Sequence, residues 1–278
     1  MLKLMYITNR TDVAQVAQAA GVDRIFVDME YIGKDARQKG LDTVKLHHTV
    51  DDVKILRPVL TTSELLVRVN PIHDATDDYD STEDEVDAVI KAGADIIMLP
   101  YFKTAAEVRR FIKAVGGRAK TMLLLETPEA SKAVDEIVQI PGIDEIHIGI
   151  NDMSLGLGMR FMFELLADRT VDRLFARIKA AGIPCGVGGI AKLGGGMLPA
   201  ECVIREHYRL GSSFAILSRS FCNTTQITEI ERIREIFETG VKEIRTFETE
   251  CAAHPELFEE NRQIVIEKVE AICELLYD

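Results

Sequence analysis

Eight short apolar runs, each followed by a stretch of helical periodicity, predict an α/β protein folded as one (β/α)8 TIM barrel. Three observations carry this. The runs are too short for helices, they alternate regularly with amphipathic segments, and 278 residues suit a single barrel. An open doubly wound sheet is the alternative with the same alternation. No linker interrupts the pattern, so residues 1–278 read as one domain, with an additional C-terminal helix at about 256–277.

The elements follow in order. Residues 2–8 form the first strand and residues 11–20 a helix, with Thr11 as N-cap and Gly21 as stop. Residues 24–30 and 64–70 are strands two and three. Residues 81–92 are a helix in which Thr82 and Glu85 are spaced as a capping box. Residues 95–101 are strand four. Thr104 and Glu107 then cap a helix that places Val108, Phe111, Ile112 and Val115 on one face. Residues 121–126 are strand five, after which Thr127 suits an N-cap and Pro128 a first turn. Residues 145–150 are strand six, and residues 163–181 one long amphipathic helix ended by Gly182. Strands seven and eight are residues 185–190 and 214–218, around a helix at 202–210. Helices near 227–237 and 257–276 close the chain. The polar stretches 33–49 and 72–81 read as long loops, which in a barrel often cover the active face.

Composition narrows the class. A hydrophobic share of 47% supplies a substantial core, which argues against disorder. The net charge of −12 is spread over amphipathic segments, which argues against nucleic acid as the main partner. Five cysteines, an odd number with no C-x-x-C, argue against a disulfide framework or zinc cage and for isolated thiols in a reducing compartment. Residues 1–8 lack the apolar length and cleavage site of a signal peptide. No apolar run approaches the ~20 residues of a membrane span. The cytoplasm is the default expectation.

The chemistry concentrates at strand ends. Leu123-Leu124-Leu125-Glu126 and Ile146-His147-Ile148-Gly149-Ile150-Asn151-Asp152 are apolar runs that each lead to a carboxylate. Ionised groups are costly to bury unless paired or bound to a metal. Two such acids on neighbouring strands suggest an oxygen-rich site for Mg2+ or Mn2+, completed by water and an oxygen-rich substrate. Asp28 and Glu30 end strand two and Arg68 lies near the end of strand three. Arg68 reads either as a barrel ion pair with an acid such as Glu30 or as a cation that stabilises developing enolate charge. Asp28 and Glu30 read either as its structural partners or as contacts to metal-bound water. The turn from Gly149 through Asn151 and Asp152 can offer backbone N–H groups to a carboxylate. Gly188-Gly189 and Gly194-Gly195-Gly196 fit no nucleotide fingerprint and read as tight turns near the site. His147, inside strand six, reads as packed or outward-facing, and His47, His48 and His73 are weak general-base candidates.

Together these segments resemble the HpcH/HpaI aldolase/citrate lyase family of the phosphoenolpyruvate/pyruvate barrel superfamily. The resemblance rests on Phe26-Val27-Asp28-Met29-Glu30, Val67-Arg68-Val69-Asn70, Gly93-Ala94-Asp95-Ile96-Ile97-Met98-Leu99-Pro100, Leu125-Glu126-Thr127 and Ile148-Gly149-Ile150-Asn151-Asp152-Met153-Ser154-Leu155. It implies a divalent metal on Glu126 and Asp152, a 2-oxo acid such as pyruvate chelating that metal, and Arg68 steadying the enolate during aldol or Claisen-type cleavage. Arg68, Glu30 and Asp28 are then the catalytic set, and Arg68, Asn151 and Asp152 the substrate-binding set. Tyr31 stands where the aldolase branch commonly has an acid/base histidine, and Leu124 where it often has glutamine. Arg68-Val69-Asn70 is closer to the citrate lyase and malyl-CoA lyase side. The general base is therefore left open, and no coenzyme A site is marked, although an acyl thioester remains compatible.

The expectation is a metal-dependent carbon–carbon lyase acting on a small oxo acid or acyl thioester. The alternative is a barrel that binds metal and oxo acid but has lost the lyase base. No membrane partner is expected. The apolar residues Leu257, Phe258, Ile264, Val265, Val269, Ile272 and Leu276, with the family resemblance, point to a homo-oligomer that buries the last helix.

Overall fold

Strand pairing closes the predicted barrel. The computed structural model describes residues 1–33 and 47–276. Among these, nine parallel strands run in the order β7-β6-β5-β4-β3-β2-β1-β9-β8. They are β1 (Lys3–Ile7), β2 (Arg24–Asp28), β3 (Glu64–Arg68), β4 (Ile96–Leu99), β5 (Lys120–Leu125), β6 (Glu145–Ile148), β7 (Cys185–Val187), β8 (Gly189–Ile190) and β9 (Phe214–Leu217). β7 and β8 are the single predicted seventh strand, broken at Gly188, whose φ of +48° is a left-handed value that L side chains resist. β7 pairs with β6 and β8 with β9, so the broken strand seals the ring and rules out the open sheet.

Side-chain alternation divides the core in two. One set of residues fills the barrel interior: Met5, Phe26, Leu66, Ile96, Met98, Met122, Leu124 and Phe214. The other, much larger set lies between strands and helices. Polar layers bound the interior at both ends. At the N-terminal end the fully buried Arg24 donates from both terminal nitrogens to Glu145 at 2.7 Å and from Nε to Glu64 at 2.9 Å, and its guanidinium lies 5.5 Å from the Phe214 ring centre. At the C-terminal end sit Asp28, Arg68 and Glu126.

The helices are α1 (Thr11–Ala19), α2 (Val50–Leu56), α3 (Thr82–Lys91), α4 (Ala105–Val115), α5 (Pro128–Lys132), α6 (Val134–Ile137), α7 (Ile150–Gly156), α8 (Glu164–Ala167), α9 (Thr170–Ala180), α10 (Ala200–Leu210), α11 (Ile230–Ala253) and α12 (Phe258–Leu275). The box of Thr104 and Glu107 on α4 and the Thr127 cap of α5 form as expected. Several details differ, and the helix expected near 227–237 runs from Ile230 to Ala253. The N-cap of α1 is Arg10, and Thr11 is its first helical residue. The helix expected over residues 163–181 is split into α8 and α9. Asp168 takes the Thr170 N–H at 2.8 Å and restarts the helix after Arg169, which sits at φ +64°. The cap of α3 is Ser81, bonded to Asp84, so Thr82 and Glu85 are free for other work.

α12 packs on α10 and α8 of its own barrel. Val265 and Val269 are buried there, and Ile264 and Ile272 are partly buried against the core. Much of the apolar surface that suggested an interface is thus used within the chain; Leu275 and Leu276 remain exposed. Residues 34–46 of the predicted loop 33–49 lie outside the described residues. Among those described, no helix is long and apolar enough to cross a membrane.

Candidate active site

Five charged side chains meet where strands β2, β3, β5 and β6 end. Asp28 and Arg68 are register partners on β2 and β3, so their side chains share a face and pair. Arg68 donates from Nε to Asp28 Oδ1 at 2.8 Å and from Nη2 to Oδ2 at 2.7 Å, a bidentate fork. Its Nη1 lies 3.4 Å from Glu30 Oε2. Arg68 is thus ion-paired with the strand-two acids, and it also lines the cavity at the barrel mouth. That cavity measures about 540 Å³ and is lined also by Asp28, Glu30, Glu126, Asn151 and Asp152.

Glu126 follows β5 and is buried. Its Oε1 accepts the Tyr101 N–H at 3.0 Å, and Tyr101 holds a left-handed φ of +48°, backbone strain placed at the site. Asp152 lies in the first turn of α7, and Asn151 Nδ2 donates to its Oδ1 at 3.1 Å. β5 and β6 are neighbours, as the short intervening segment predicted. Gly149 between them has no side chain to collide with Glu126.

Electrostatics in the cavity centre on Glu126. Burial raises the Glu126 pKa well above the carboxylate range, and Glu30 and Asp152 raise it further, against the pull of Arg68 and the Tyr101 amide. Among the described residues, four carboxylates and one guanidinium line this end of the cavity. Hard oxygen donors fit a divalent cation. Among the described residues no three His, Cys, Asp or Glu side chains form a ready-made metal cage. Glu126 and Asp152 are the two carboxylates whose chemistry suits such a ligand pair, with the remaining positions open to water and substrate oxygens.

The surrounding segments hold these groups in place. Asn70 Oδ1 accepts the N–H groups of Tyr31 and Ile32 at 2.9 and 3.0 Å, while its Nδ2 donates to Glu85 at 2.8 Å. Glu85 can do this because Ser81 caps α3. Thr82 instead ties down His73, whose two ring nitrogens lie 2.7 Å from Pro71 O and 2.9 Å from Asp80 O. Asp28 N–H donates to His48 Nδ1 at 3.0 Å, so that nitrogen is occupied in supporting β2. The Tyr31 ring lies 5.6 Å from Tyr79 and 6.3 Å from His47. None of Tyr31, His47, His48 and His73 lines the cavity.

His147 is placed differently from the outward-facing option. It points into the barrel beneath the carboxylates, with Nε2 3.1 Å from Gly188 O and its ring stacked on Phe214 at 5.9 Å. Burial depresses its pKa to about 3. Gly188, Gly189 and Gly196 line the cavity, as turns near the site should.

Two contributors escaped the sequence reading. Tyr6 on β1 reaches the mouth and donates its hydroxyl to Cys222 O at 3.0 Å. The segment after β9, Ser218 to Thr225, forms a whole wall of the cavity. The polar run Ser218-Arg219-Ser220 directly after an apolar strand was the available signal.

The family model for HpcH/HpaI aldolase/citrate lyase matches residues 3–185, about two thirds of the chain and all of the carboxylate centre. The chain belongs to the HpcH/HpaI aldolase/citrate lyase family. It is similar to a hydroxypyruvate/pyruvate aldolase of Rhizorhabdus wittichii, 34% identical over 79 residues covering 26% of this chain and 32% of that one. It is also similar to a 5-keto-4-deoxy-D-glucarate aldolase of Citrobacter koseri, 28% identical over 94 residues, 34% of this chain and 33% of that one. The match thus spans about a third of each relative's length. A family member of known structure from Burkholderia cenocepacia superposes with a TM-score of 0.61, at 17% identity, over 84% of this chain and 94% of that one. At that identity the likeness is one of fold.

Proposed function

We propose that this family member is a carbon–carbon lyase that cleaves or forms a bond next to the carbonyl of a small 2-oxo acid through an enolate. The observation that carries the reading is the cavity at the barrel mouth, lined by Glu126, Asp152, Glu30, Asp28 and Arg68. Glu126 and Asp152 would hold Mg2+ or Mn2+, which would supply Lewis-acid polarisation of the 2-oxo carbonyl.

The other roles belong to the chain. The first turn of α7, at Asn151 and Asp152, receives the substrate carboxylate through its amides. In cleavage of a 4-hydroxy-2-oxo acid, the C3–C4 bond breaks and its electron pair becomes the enolate. The C4 hydroxyl becomes an aldehyde and gives its proton to a carboxylate, assigned to Glu30. The enolate then takes a proton at C3 and leaves as the shorter 2-oxo acid. Arg68 stabilises the negative charge while it exists, and Asp28 fixes the plane of its guanidinium. In the Claisen-type version an acyl thioester takes the electron pair as its enolate, and the hydroxyl carbon becomes the carbonyl of the 2-oxo acid. A homo-oligomer in the cytoplasm remains part of the reading; light scattering that reports a single-chain mass at micromolar concentration would count against assembly.

One observation favours the binding-barrel alternative: the histidine lining the cavity is buried, with one ring nitrogen near a backbone carbonyl. Exchange of pyruvate methyl protons in D2O with added Mn2+ separates the two readings. Wild-type protein should exchange them, and Glu126→Ala and Asp152→Ala should lose both exchange and Mn2+ affinity by calorimetry. Mn2+ binding without exchange of any 2-oxo acid tried would leave the binding reading; unchanged affinity in both variants would end the metal assignment.

A further inference from the structure

Four successive backbone N–H groups leaving β2 are each held. Met29 N–H donates to Arg68 O at 2.9 Å, which continues the pairing with β3. Glu30 N–H donates to Asp28 Oδ1 at 3.2 Å. Tyr31 and Ile32 N–H both donate to Asn70 Oδ1, at 2.9 and 3.0 Å. Glu30 sits in the middle of this run, buried on the cavity lining, with Oε2 3.4 Å from Arg68 Nη1. Its backbone is fixed on one side by strand pairing and on the other by a single side-chain oxygen, that of Asn70.

Asn70 can serve two amides with one oxygen only if its side-chain amide is turned one way. Glu85 on α3 sets that turn. An ionised carboxylate accepts and cannot donate, and Glu85 takes Asn70 Nδ2 at 2.8 Å and Asn70 N–H at 3.1 Å. With its nitrogen committed to Glu85, Asn70 has its oxygen facing the segment after β2. Asn70 is buried, so the reversed amide would set oxygen against carboxylate and leave two N–H groups without their acceptor. The contacts run from Glu85 through Asn70 to the backbone beside Glu30. Of Glu85, Asn70, Tyr31, Ile32 and Glu30, only Glu30 lines the cavity.

We infer that Asn70 and Glu85 are positioning residues for proton transfer, a clamp outside the cavity that holds Glu30 at the reacting atoms. The inference deepens the proposed lyase reading and rests on it for the role of Glu30. In that role Glu30 takes the proton of the C4 hydroxyl and then gives it to C3 of the enolate, so it also serves the exchange of pyruvate methyl protons. A misplacement of about 1 Å costs a proton-transferring group much of its rate. It costs little metal affinity, because Glu30 is not a proposed ligand.

The test swaps the two polar groups. Asn70→Asp sets two carboxylates against each other, and adding Glu85→Gln restores a donor facing an acceptor. Pyruvate methyl exchange with added Mn2+ should lose about tenfold or more in kcat in Asn70→Asp, with KM and Mn2+ affinity within about threefold of wild type. The double variant should return kcat to within about threefold of wild type, the coupling expected of a contacting pair. Asn70→Ala, which removes the acceptor, should speed amide hydrogen exchange at Tyr31 and Ile32 by about tenfold or more. The double variant and the amide measurement decide the matter if Asn70→Asp does not fold. An unchanged kcat in Asn70→Asp, or no recovery in the double variant, overturns the inference and keeps the lyase. Unchanged amide protection in Asn70→Ala overturns the clamp whatever the activity. No exchange in wild type ends the lyase reading itself, and the role given to Glu30 with it.

Discussion

Gly149 and Glu126 are packed so closely that a Cβ added to Gly149 would lie 2.8 Å from both Cβ and Oε2 of Glu126. The glycine on β6's exit sets the position of the carboxylate on β5's exit. Gly149→Ala should therefore move Glu126, and it also presses on Leu124 of the barrel interior, 3.2 Å from the added Cβ. Mn2+ affinity should fall by about tenfold or more, the usual effect of disturbing a ligand's support. Calorimetry reads the affinity and circular dichroism the fold. Unchanged affinity in a folded variant would remove Glu126 from the ligand set.

Arg68→Lys tests catalysis apart from binding. Lysine keeps the charge that balances Asp28 and Glu30 but loses the bidentate fork. Pyruvate proton exchange should drop on the order of 10²-fold, as when an oxyanion donor is removed. Mn2+ affinity should change by less than about threefold, because Arg68 is not a proposed ligand. Equal exchange in both proteins would make Arg68 a structural ion pair only.

Two buried histidines give the protein an acid limit. Burial lowers the His147 and His207 pKa values to about 3 and about 4, from 6.5. His147 Nδ1 and His207 Nε2 are buried without a hydrogen-bond partner among the described residues. Below pH 6.5 the unfolded chain binds protons that the folded chain refuses, so stability is full above 6.5 and is lost on acidification. Each histidine's slope rises toward about 1.4 kcal/mol per pH unit as the pH falls below 6.5, which gives about 3 kcal/mol for the pair between pH 6.5 and 5. Urea unfolding across that range should show it, and His207→Leu should reduce the slope. A flat profile would mean that both rings protonate freely in the fold.

The opposite end of the barrel should affect stability alone. Arg24→Met leaves Glu145 buried without its partner and should cost about 3–5 kcal/mol. Mn2+ affinity should be unchanged, because an apolar layer separates this network from the mouth. Denaturant titration and calorimetry on the same sample check both halves.

The sequence by itself determined the barrel and its acidic centre. The eight apolar runs are visible because each strand is buried on both faces, so its residues read as an uninterrupted hydrophobic block. Glu126 and Asp152 stood out because a carboxylate that closes such a block has to be explained. The Thr104 box was legible because it is a contact three residues apart, written within one turn of chain. Other features were not. The Ser81 cap on α3, the break at Asp168 and Arg169, and the seating of α12 on α10 depend on competition between neighbouring donors or on surfaces that meet only after folding. The pairing of Arg68 with Asp28 needs the register of two strands 40 residues apart. The hydroxyl wall after β9 becomes part of the site only when β9 pairs with β1 and β8 and closes the ring. Local patterns fix local structure and which faces are apolar. Which polar groups face one another across the mouth is a long-range property, and ring closure decided it.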